Sequence, residues 1–501
     1  MTLEKQQWRA LKCGLLMALC LALTACTTSR INKQAAARLD QLRTGSVTPA
    51  LRADAENELG YAMRTDKVLH GLKTENEKLV AAPSHVASLQ ELLDAAVQHN
   101  GTIASAGNKV GRATVDRLNA LFGFAPSLNA TYTINKLNEK VISSDNVVFD
   151  QGQANYPFMT ANLTLDQPLF DLSRVYGFQS SEAAKSKAEA DYMAALAEVS
   201  HEVFENYLTA VQSQARKQSI NEQQAFLDRQ VAGENSLERS GLGDVARTAS
   251  LRSSHADLAA EEALEAADYT DALTNLARLT GLNVSQIAPF KFPQKLLGSE
   301  RDIDLEKSIA ASLKNSPVMI SSRLNVAIAN TRRRQAWAED YAPKVNGFIT
   351  FADEDRDASR FGGASHTQDL TFGVKLTVPL FNPRGAGYAG VAADMDVGAA
   401  ATDYYSTSRQ LETKLRATYG RMGELTRALT ALEVSVKQAS TAYRAERAKL
   451  ENGETVDLAV ASRQLNLAKT IEKRAYYRAE YLRSWGELQF LMGKSLFLEK
   501  F

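Results

Sequence analysis

The chain contains an internal repeat, and this repeat constrains its fold more than any other feature. Gln167-Pro168-Leu169-Phe170 recurs 211 positions later as Val378-Pro379-Leu380-Phe381. Further identities share a constant offset of 212 residues: Tyr207 with Tyr419, Gly241 with Gly453, Ala249-Ser250 with Ala461-Ser462, and Gly281 with Gly493. Because an ordered series at one offset indicates duplication, we assign residues 84–290 to a first repeat and 291–493 to a second, followed by a tail over 494–501.

Each repeat is predicted to contain two β-strands, which alternate between apolar and small polar residues. The strands are expected near residues 127–135, 159–167, 344–352 and 369–378. In the first of them, Leu128, Ala130, Tyr132 and Ile134 alternate with Asn129, Thr131, Thr133 and Asn135. Alternation of this kind gives a sheet one apolar and one polar face, although Phe348 falls among the polar positions. Polar loops are expected over 136–158 and 353–368.

This alternation has two interpretations. A soluble sheet that is buried on one face shows it, and so does the wall of a transmembrane barrel, whose strands have about 9–11 residues. Lipid permits no open sheet edge, and single-chain barrels begin at about eight strands. Four strands therefore indicate either a soluble sheet or a barrel that several protomers share.

Two very long helices are predicted over 173–237 and 383–451, and the second has Asn382 and Pro383 at its start. At about 1.5 Å per residue, each helix extends about 100 Å, which a compact domain does not need. Shorter return helices are expected over 244–280 and 455–492. Helices over 88–122 and 305–339 lead into the strands, the latter with a break at Asn315-Ser316-Pro317. The fold class is therefore α+β, with long coiled-coil helices.

The N-terminus has the pattern of a secretory signal. Lys5, Arg9 and Lys12 precede an apolar run that is too short to span a bilayer and that ends at Leu23-Thr24-Ala25-Cys26. The pattern predicts a signal peptide over residues 1–25 and resembles the lipobox of bacterial lipoproteins, whose cysteine is acylated. The alternative is an ordinary signal peptide with an incidental cysteine. Thr27, where an inner-membrane retention signal would have Asp, favours the outer membrane, with a lipidated extension over 26–83.

Composition argues against several other classes of protein. The 58 basic and 58 acidic residues balance, so no nucleic-acid partner is expected. The six histidines lack metal-ligand spacing, and the sequence has no catalytic or cofactor-binding motif, so we expect no metal, no cofactor and no enzyme. Arg332-Arg333-Arg334 is interpreted as a lipid-headgroup anchor or as a solvated surface.

Several motifs resemble those of the TolC-type outer-membrane efflux family over about residues 84–493. They are the two Pro-Leu-Phe strand ends, Asn315-Ser316-Pro317, and the turns Leu237-Glu238-Arg239-Ser240-Gly241 and Leu450-Glu451-Asn452-Gly453. The resemblance implies a homotrimer with four transmembrane strands per protomer, a shared twelve-stranded barrel in the outer membrane and a periplasmic α-barrel. It also implies a periplasmic adaptor and an inner-membrane pump as partners.

The resemblance places the functional residues at the two hairpin tips, over 237–243 and 450–455. Gly241, Gly243 and Gly453 are expected to contact the adaptor, although helix termination by itself accounts for tip glycines. Asp244, Asp457, Tyr443 and Arg447 are candidates for the pore gate. The alternatives are an acidic residue that favours a helix N-terminus and, for Tyr443 and Arg447, a solvated face. Ser462 stands where family members often have a pore-facing carboxylate, which makes Asp457 the substitute candidate.

The predicted function is a passive conduit for small molecules such as drugs. Two alternatives remain open at this point. One is the outer-membrane component of type I protein secretion, and the other is a periplasmic coiled-coil lipoprotein that transports nothing.

Replacing Cys26 tests the lipid anchor. We expect Cys26→Ser to abolish incorporation of labelled palmitate, because the acylated sulfur is lost. Cys20→Ser, within the predicted signal peptide, should label like the unmodified protein. Labelling of Cys26→Ser would contradict the assignment.

Overall fold

The structure, a computed structural model, describes residues 85–141, 152–289, 291–298, 303–356, 364–380 and 388–496. The predicted signal peptide, Cys26, the extension to residue 83, Asn382 and Pro383 lie outside these ranges. The chain forms two compact units. The first comprises Met1–Gly111, Ala188–Ser321 and Tyr405–Phe501, and the second comprises Arg112–Lys187 and Ser322–Tyr404.

The described elements follow the duplicated order that the sequence predicts. The first repeat has β1 (His85–Ala87), α1 (Leu89–His99), α2 (Gly101–Phe122), β2 (Ser127–Val141), β3 (Gly152–Asp171), α3 (Leu172–Arg239), α4 (Val245–Thr280) and β4 (Val284–Ile287). The second has α5 (Leu305–Asn315), α6 (Pro317–Tyr341), β5 (Lys344–Arg356), β6 (Ser365–Thr377), α7 (Tyr388–Glu451) and α8 (Asp457–Leu491). A short 3-10 helix, Gln294–Leu296, lies between them.

The second unit contains a four-stranded antiparallel sheet in the order β2-β3-β5-β6. Its strands are 15, 20, 13 and 13 residues long and extend into the segments predicted as loops. The β2–β3 pairing, for example, continues from Ser127↔Asp166 to Val141↔Gly152. The prediction ended each strand where apolar alternation ends, but ladder hydrogen bonds use only the backbone and continue through polar residues.

The register gives the sheet the two faces that the alternation predicts. On the apolar face, one row across the four strands is Leu128, Leu165, Ile349 and Phe372. On the polar face, the next row is Asn129, Thr164, Thr350 and Thr371. The hydroxyls of Thr164 and Thr350 lie 3.4 Å apart and are hydrogen bonded. A slip of one residue would exchange the faces, so the apolar alternation fixes the register.

Phe348, the aromatic residue among polar positions, lies opposite a glycine. Phe348 pairs with Gly373 of β6, and a Cβ on Gly373 would be 3.0 Å from the Cζ of the phenyl ring. The ring therefore occupies the space that the absent side chain leaves, an arrangement that covers an otherwise bare glycine in a strand. This pairing accounts for the aromatic residue on the polar face of β5.

The first unit has a helical core, with large, fully buried side chains at Tyr192, Phe204, Leu208, Leu415, Tyr481 and Leu488. It also holds a small parallel sheet of β1 and β4, which the sequence did not predict because strands of three and four residues show no periodicity. Among the helices of the described ranges, none combines the length and apolarity needed to cross a membrane.

The helix predicted over 88–122 is broken at Asn100. The Asn100 carboxamide oxygen accepts hydrogen bonds from the backbone N–H groups of Thr102 and Ile103, at 2.9 and 3.3 Å. Its Nδ2 donates to the carbonyl of Leu279 at 3.0 Å. One buried side chain thus caps α2 and binds the end of α4, so the break depends on a distant partner.

The repeated glycines, Gly281 and Gly493, follow the return helices in a left-handed conformation, with φ of 72° and 75°. Gly493 also lies against the predicted break between α5 and α6. A Cβ there would be 2.5 Å from Cδ of Pro317 and 2.9 Å from Cα of Ser316. Helix termination and close packing therefore both require glycine at this position.

Gly493→Ala is expected to destabilise the protein by at least about 1–3 kcal/mol, because it combines backbone strain with steric overlap. The matched control is Gly233→Ala in the exposed interior of α3, where a Cβ meets nothing within 4 Å. Gly233→Ala should leave the thermal midpoint unchanged or raise it, since alanine favours helix. Circular dichroism at increasing temperature measures both, and equal midpoints would contradict the role of Gly493.

Candidate functional site at the hairpin tips

The two helical hairpins end in the same backbone motif. In the first tip, Gly241 has φ of 75° and donates to the Glu238 carbonyl at 3.0 Å, while Leu242 N–H donates to Leu237 at 2.9 Å. In the second, Gly453 has φ of 74° and donates to Leu450, and Glu454 N–H donates to Lys449. This is the Schellman termination of a helix, and it accounts for both glycines without any partner protein.

Gly243 is needed for a different reason. A Cβ on Gly243 would lie 2.4 Å from the backbone nitrogen of Glu238, so only glycine permits this approach. Its counterpart at the 212-residue offset is Thr455, whose hydroxyl donates to Glu446 Oε1 at 2.8 Å. The hydrogen bond from Thr455 holds the pKa of Glu446 below its usual value, assisted by Lys449 and Arg463. The two tips therefore share a turn but differ in their side chains.

Asp244 and Asp457 occupy different positions at their helices. Asp244 is the N-cap of α4, and its Oδ1 accepts from the Ala246 N–H at 2.9 Å. Asp457 is the first residue of α8, after Val456, which makes no side-chain cap. Its Oδ2 lies 3.7 Å from Nη1 of Arg229 on α3. Asp244 is thus used within its own hairpin, whereas Asp457 connects the two hairpins.

The other gate candidates make contacts within their own helix. Arg447 Nε lies 3.5 Å from Glu451, one turn further along α7. Tyr443 is half-buried. Their predicted contacts with other helices are not among the contacts of the described residues, so this role stays a prediction. The sequence did not single out Arg229, which lies inside a long helix without a local motif.

A series of polar contacts joins α3 to α8 from the tip inward. Gln464 donates to Glu222 at 2.8 Å, Arg216 pairs with Glu472 at 2.6 Å, and Arg483 pairs with Glu205 at 2.9 Å. The paired side chains are more exposed at the tip than further in, where Arg216 and Glu472 are 34% and 19% exposed. The exposure is 48% and 69% for Arg229 and Asp457, but 22% and 33% for Arg483 and Glu205. Because water screens exposed charges, the attraction is weakest at the tip.

The inner end of the same helix pair is closed by aromatic packing. The rings of Phe204 and Trp485 meet edge to face at 6.4 Å, and His201 stacks on Phe490 at 5.2 Å. A Cβ on Gly486 would lie 2.8 Å from the Phe204 ring, so glycine allows the helices to approach. Burial lowers the pKa of His201, against the opposing effect of Glu487. Here the helices are held by buried contacts that solvent does not screen.

The fold is similar to the folds of solved outer-membrane channels. In fold, the chain is similar to the CmeC outer membrane channel of Campylobacter jejuni, with a TM-score of 0.66 at 15% identity over 81% of this chain and 85% of that one. It is also similar to VceC of Vibrio cholerae, with a TM-score of 0.63 at 16% identity over 81% and 96%.

Sequence comparison finds similarity to an efflux family and to a secretion protein. Residues 309–494 match the family described as outer membrane efflux protein, which confirms the predicted resemblance. The matched residues span nearly all of the second repeat. It is also 21% identical over 383 residues to the proteases secretion protein PrtF of Dickeya chrysanthemi, covering 74% of this chain and 80% of that protein.

Asp457→Asn tests the contact between the hairpins. We expect faster hydrogen exchange in the first turns of α8 at low salt, by up to about fivefold, because an exposed ion pair contributes at most about 1 kcal/mol. Arg229→Gln should have the same effect. Asp244→Asn is the matched control, since asparagine is an equally good N-cap. A similar effect of Asp244→Asn, or no effect of the other two, would contradict the assignment.

Proposed function

We propose that this chain is one protomer of a trimeric outer-membrane conduit that passively carries small molecules, such as drugs, from the periplasm to the exterior. The apolar face of β6 is the observation that carries the proposal. Exposed apolar residues stand at every second position of the strand and of the segment that follows it: Leu370, Phe372, Val374, Leu376, Val378 and Leu380. Ten residue steps cover about 33 Å along a strand, or about 25 Å of membrane at a tilt of about 40°. That is the height of the apolar band of an outer-membrane barrel.

The two sheet edges support the trimer. In the described sheet, β2 and β6 each pair on one side only, and lipid does not tolerate open edges. Three copies would contribute twelve strands and close the sheet. An apolar stripe on α7 supports the same assembly, because Tyr388, Val391 and Met395 are exposed at spacings of three and four residues. Such spacing suits packing against a helix of another protomer.

The polar face supports a water-filled lumen. Its central rows carry mainly Thr and Asn side chains, which hydrogen bond to water without strongly attracting either sign of charge. A lumen of this kind passes many polar solutes. We therefore assign selectivity to the hairpin tips, where the Arg229–Asp457 pair acts as a latch on the closed gate.

The tips also supply a surface for the adaptor and, through it, the inner-membrane pump. Leu242, Val245 and Val456 are apolar and exposed there. Buried apolar side chains at the centre of an interface contribute most of the binding free energy. Lipidation at Cys26 would anchor the trimer, and residues 84–290 and 291–493 would be its two structural repeats.

A second candidate function is protein secretion by a type I system. The similarity to PrtF, whose name describes protease secretion, favours it. A neutral lumen is compatible with an unfolded polypeptide as well as with small molecules. The structural-lipoprotein alternative is disfavoured, because a soluble sheet would not leave the apolar face of β6 exposed.

Adjacent residues on opposite faces of β6 test the conduit. Leu376→Arg places a charge near the middle of the apolar band and should sharply reduce the yield of membrane-inserted trimer, since a charge in lipid costs about 2–4 kcal/mol at the midplane. Thr377→Arg, on the polar face, should assemble normally and lower the conductance for cations in planar bilayers. Detergent extraction, trimer mass and single-channel currents give the readouts. Equal assembly of both variants, or a water-soluble monomer, would overturn the proposal.

A further inference from the structure

The last two turns of α6 expose a pair of aromatic side chains. Trp337 and Tyr341 are 55% and 50% exposed, and their ring centroids lie 6.2 Å apart at an angle of 41°. Ala338 and Ala342, next to them in sequence, are buried. The helix therefore packs through its small residues and presents its largest ones outward. Large aromatic groups so placed on a protein surface indicate a partner.

The pair stands where a helix gives way to a strand of the proposed barrel. Helix α6 ends at Tyr341, and β5 begins at Lys344. Ile349 and Phe351, on the apolar face of β5, are exposed in the same way as the aromatic pair. At about 1.5 Å per helical residue, Trp337 lies about 10 Å or less from the strand. Tyr341, three residues from the strand, lies about 5 Å from it, which is within the headgroup layer of about 5–7 Å, and Trp337 is one helical turn further along the same face.

The first repeat has large exposed residues at the same junction. Leu121 and Phe122 end α2 just before β2 and are exposed. The duplication has therefore kept bulky side chains at both helix–strand junctions, although the residue types differ. Trp and Tyr are the types that favour a lipid–water interface, because each has an apolar ring and a polar hydrogen-bonding group.

An arginine shares the face of the aromatic pair. Arg334, Trp337 and Tyr341 are spaced by three and four residues, which places them on one side of a helix, and Arg334 is exposed. Its neighbour Arg333 is paired with Asp394 at 3.2 Å. Arg332 is about 160° away around the helix from Arg334. Of the three arginines, Arg333 is in an ion pair and Arg332 lies on another face. Arg334 is the one that lies beside the aromatic pair.

We propose that Arg334, Trp337 and Tyr341 form a binding face for the phosphate headgroups of phospholipids in the inner leaflet of the outer membrane. The proposal rests on the proposed function for the position of β5 in the membrane. The aromatic rings lie at the boundary between headgroups and acyl chains, and the guanidinium attracts the anionic phosphate. The face continues the apolar face of the sheet into the headgroup layer.

Tryptophan fluorescence tests this placement directly. The sequence has three Trp residues: Trp8 lies in the predicted signal peptide, and Trp485 is only 5% exposed. In the full-length protein, Trp485→Phe leaves Trp337 as the reporter of the mature chain. We expect phosphatidylcholine brominated near the headgroup end of its acyl chains to quench Trp337 more strongly than lipid brominated near the chain ends. If aqueous iodide quenches Trp337 instead, the proposal is overturned. It is also overturned if neither brominated lipid nor iodide quenches Trp337, because a second copy of the chain then covers the ring.

A second reporter separates this inference from the proposed function. Leu376→Trp, combined with Trp337→Phe and Trp485→Phe, places the only Trp of the mature chain near the middle of the apolar band from Leu370 to Leu380. We expect deep bromines to quench it most strongly. If they do while Trp337 is unaffected by lipid, the headgroup inference fails and the conduit stands. If neither reporter is quenched, the membrane placement of the sheet fails as well.

The role of the cation is measured with anionic lipid. Brominated phosphatidylglycerol should quench Trp337 in preference to brominated phosphatidylcholine, and Arg334→Gln should lower this preference about fivefold. Arg332→Gln, on the other side of the helix, is the matched control and should leave it unchanged. Equal effects of the two variants would show a diffuse charge effect and would overturn the role of Arg334.

Discussion

In the sheet order β2-β3-β5-β6, the two outer strands each pair on one side, and this constraint governs the remaining structure of the second unit. An exposed strand edge in water is a site of association, and in lipid it is not tolerated. The apolar face of the sheet adds a second requirement, because Leu370, Phe372 and Val374 are exposed in the single chain. The proposed assembly of copies into a closed sheet within lipid would satisfy both requirements at once.

In the first unit, the strength of the contacts between α3 and α8 depends on how far each contact is exposed to solvent. Near the tip, α3 and α8 are joined by the exposed pair of Arg229 and Asp457. Further in, they are joined by the half-buried pair of Arg483 and Glu205, whose burial raises the pKa of Glu205 against the effect of Arg483. Beyond that, Phe204 packs against Gly486. Charges in water are weakly coupled, so the tip is the part of the hairpin pair that separates most easily.

The two repeats share the glycines that end their long helices, but they differ in the contacts of the acidic side chains beside those glycines. Gly241 and Gly453 end their helices through the same hydrogen bonds. The acidic residues beside them diverged, since Asp244 caps its own helix while Asp457 reaches the other hairpin. The long helix of each repeat ends in a left-handed glycine, so both repeats keep that residue. A single carboxylate is enough to join the two hairpins.

The duplication, the two faces of the strands, the long helices and their glycine-containing turns could all be predicted from the sequence, because each depends on local periodicity or backbone conformation. The break at Asn100, whose partner Leu279 is 179 positions away, and the fit of Phe348 over Gly373 depend on tertiary contacts. The tertiary structure also selected Asp457 over Asp244 as the residue that joins the hairpins, through Arg229 in the other repeat. These contacts join residues that are far apart in the chain, and a local sequence pattern does not specify the partner of such a contact.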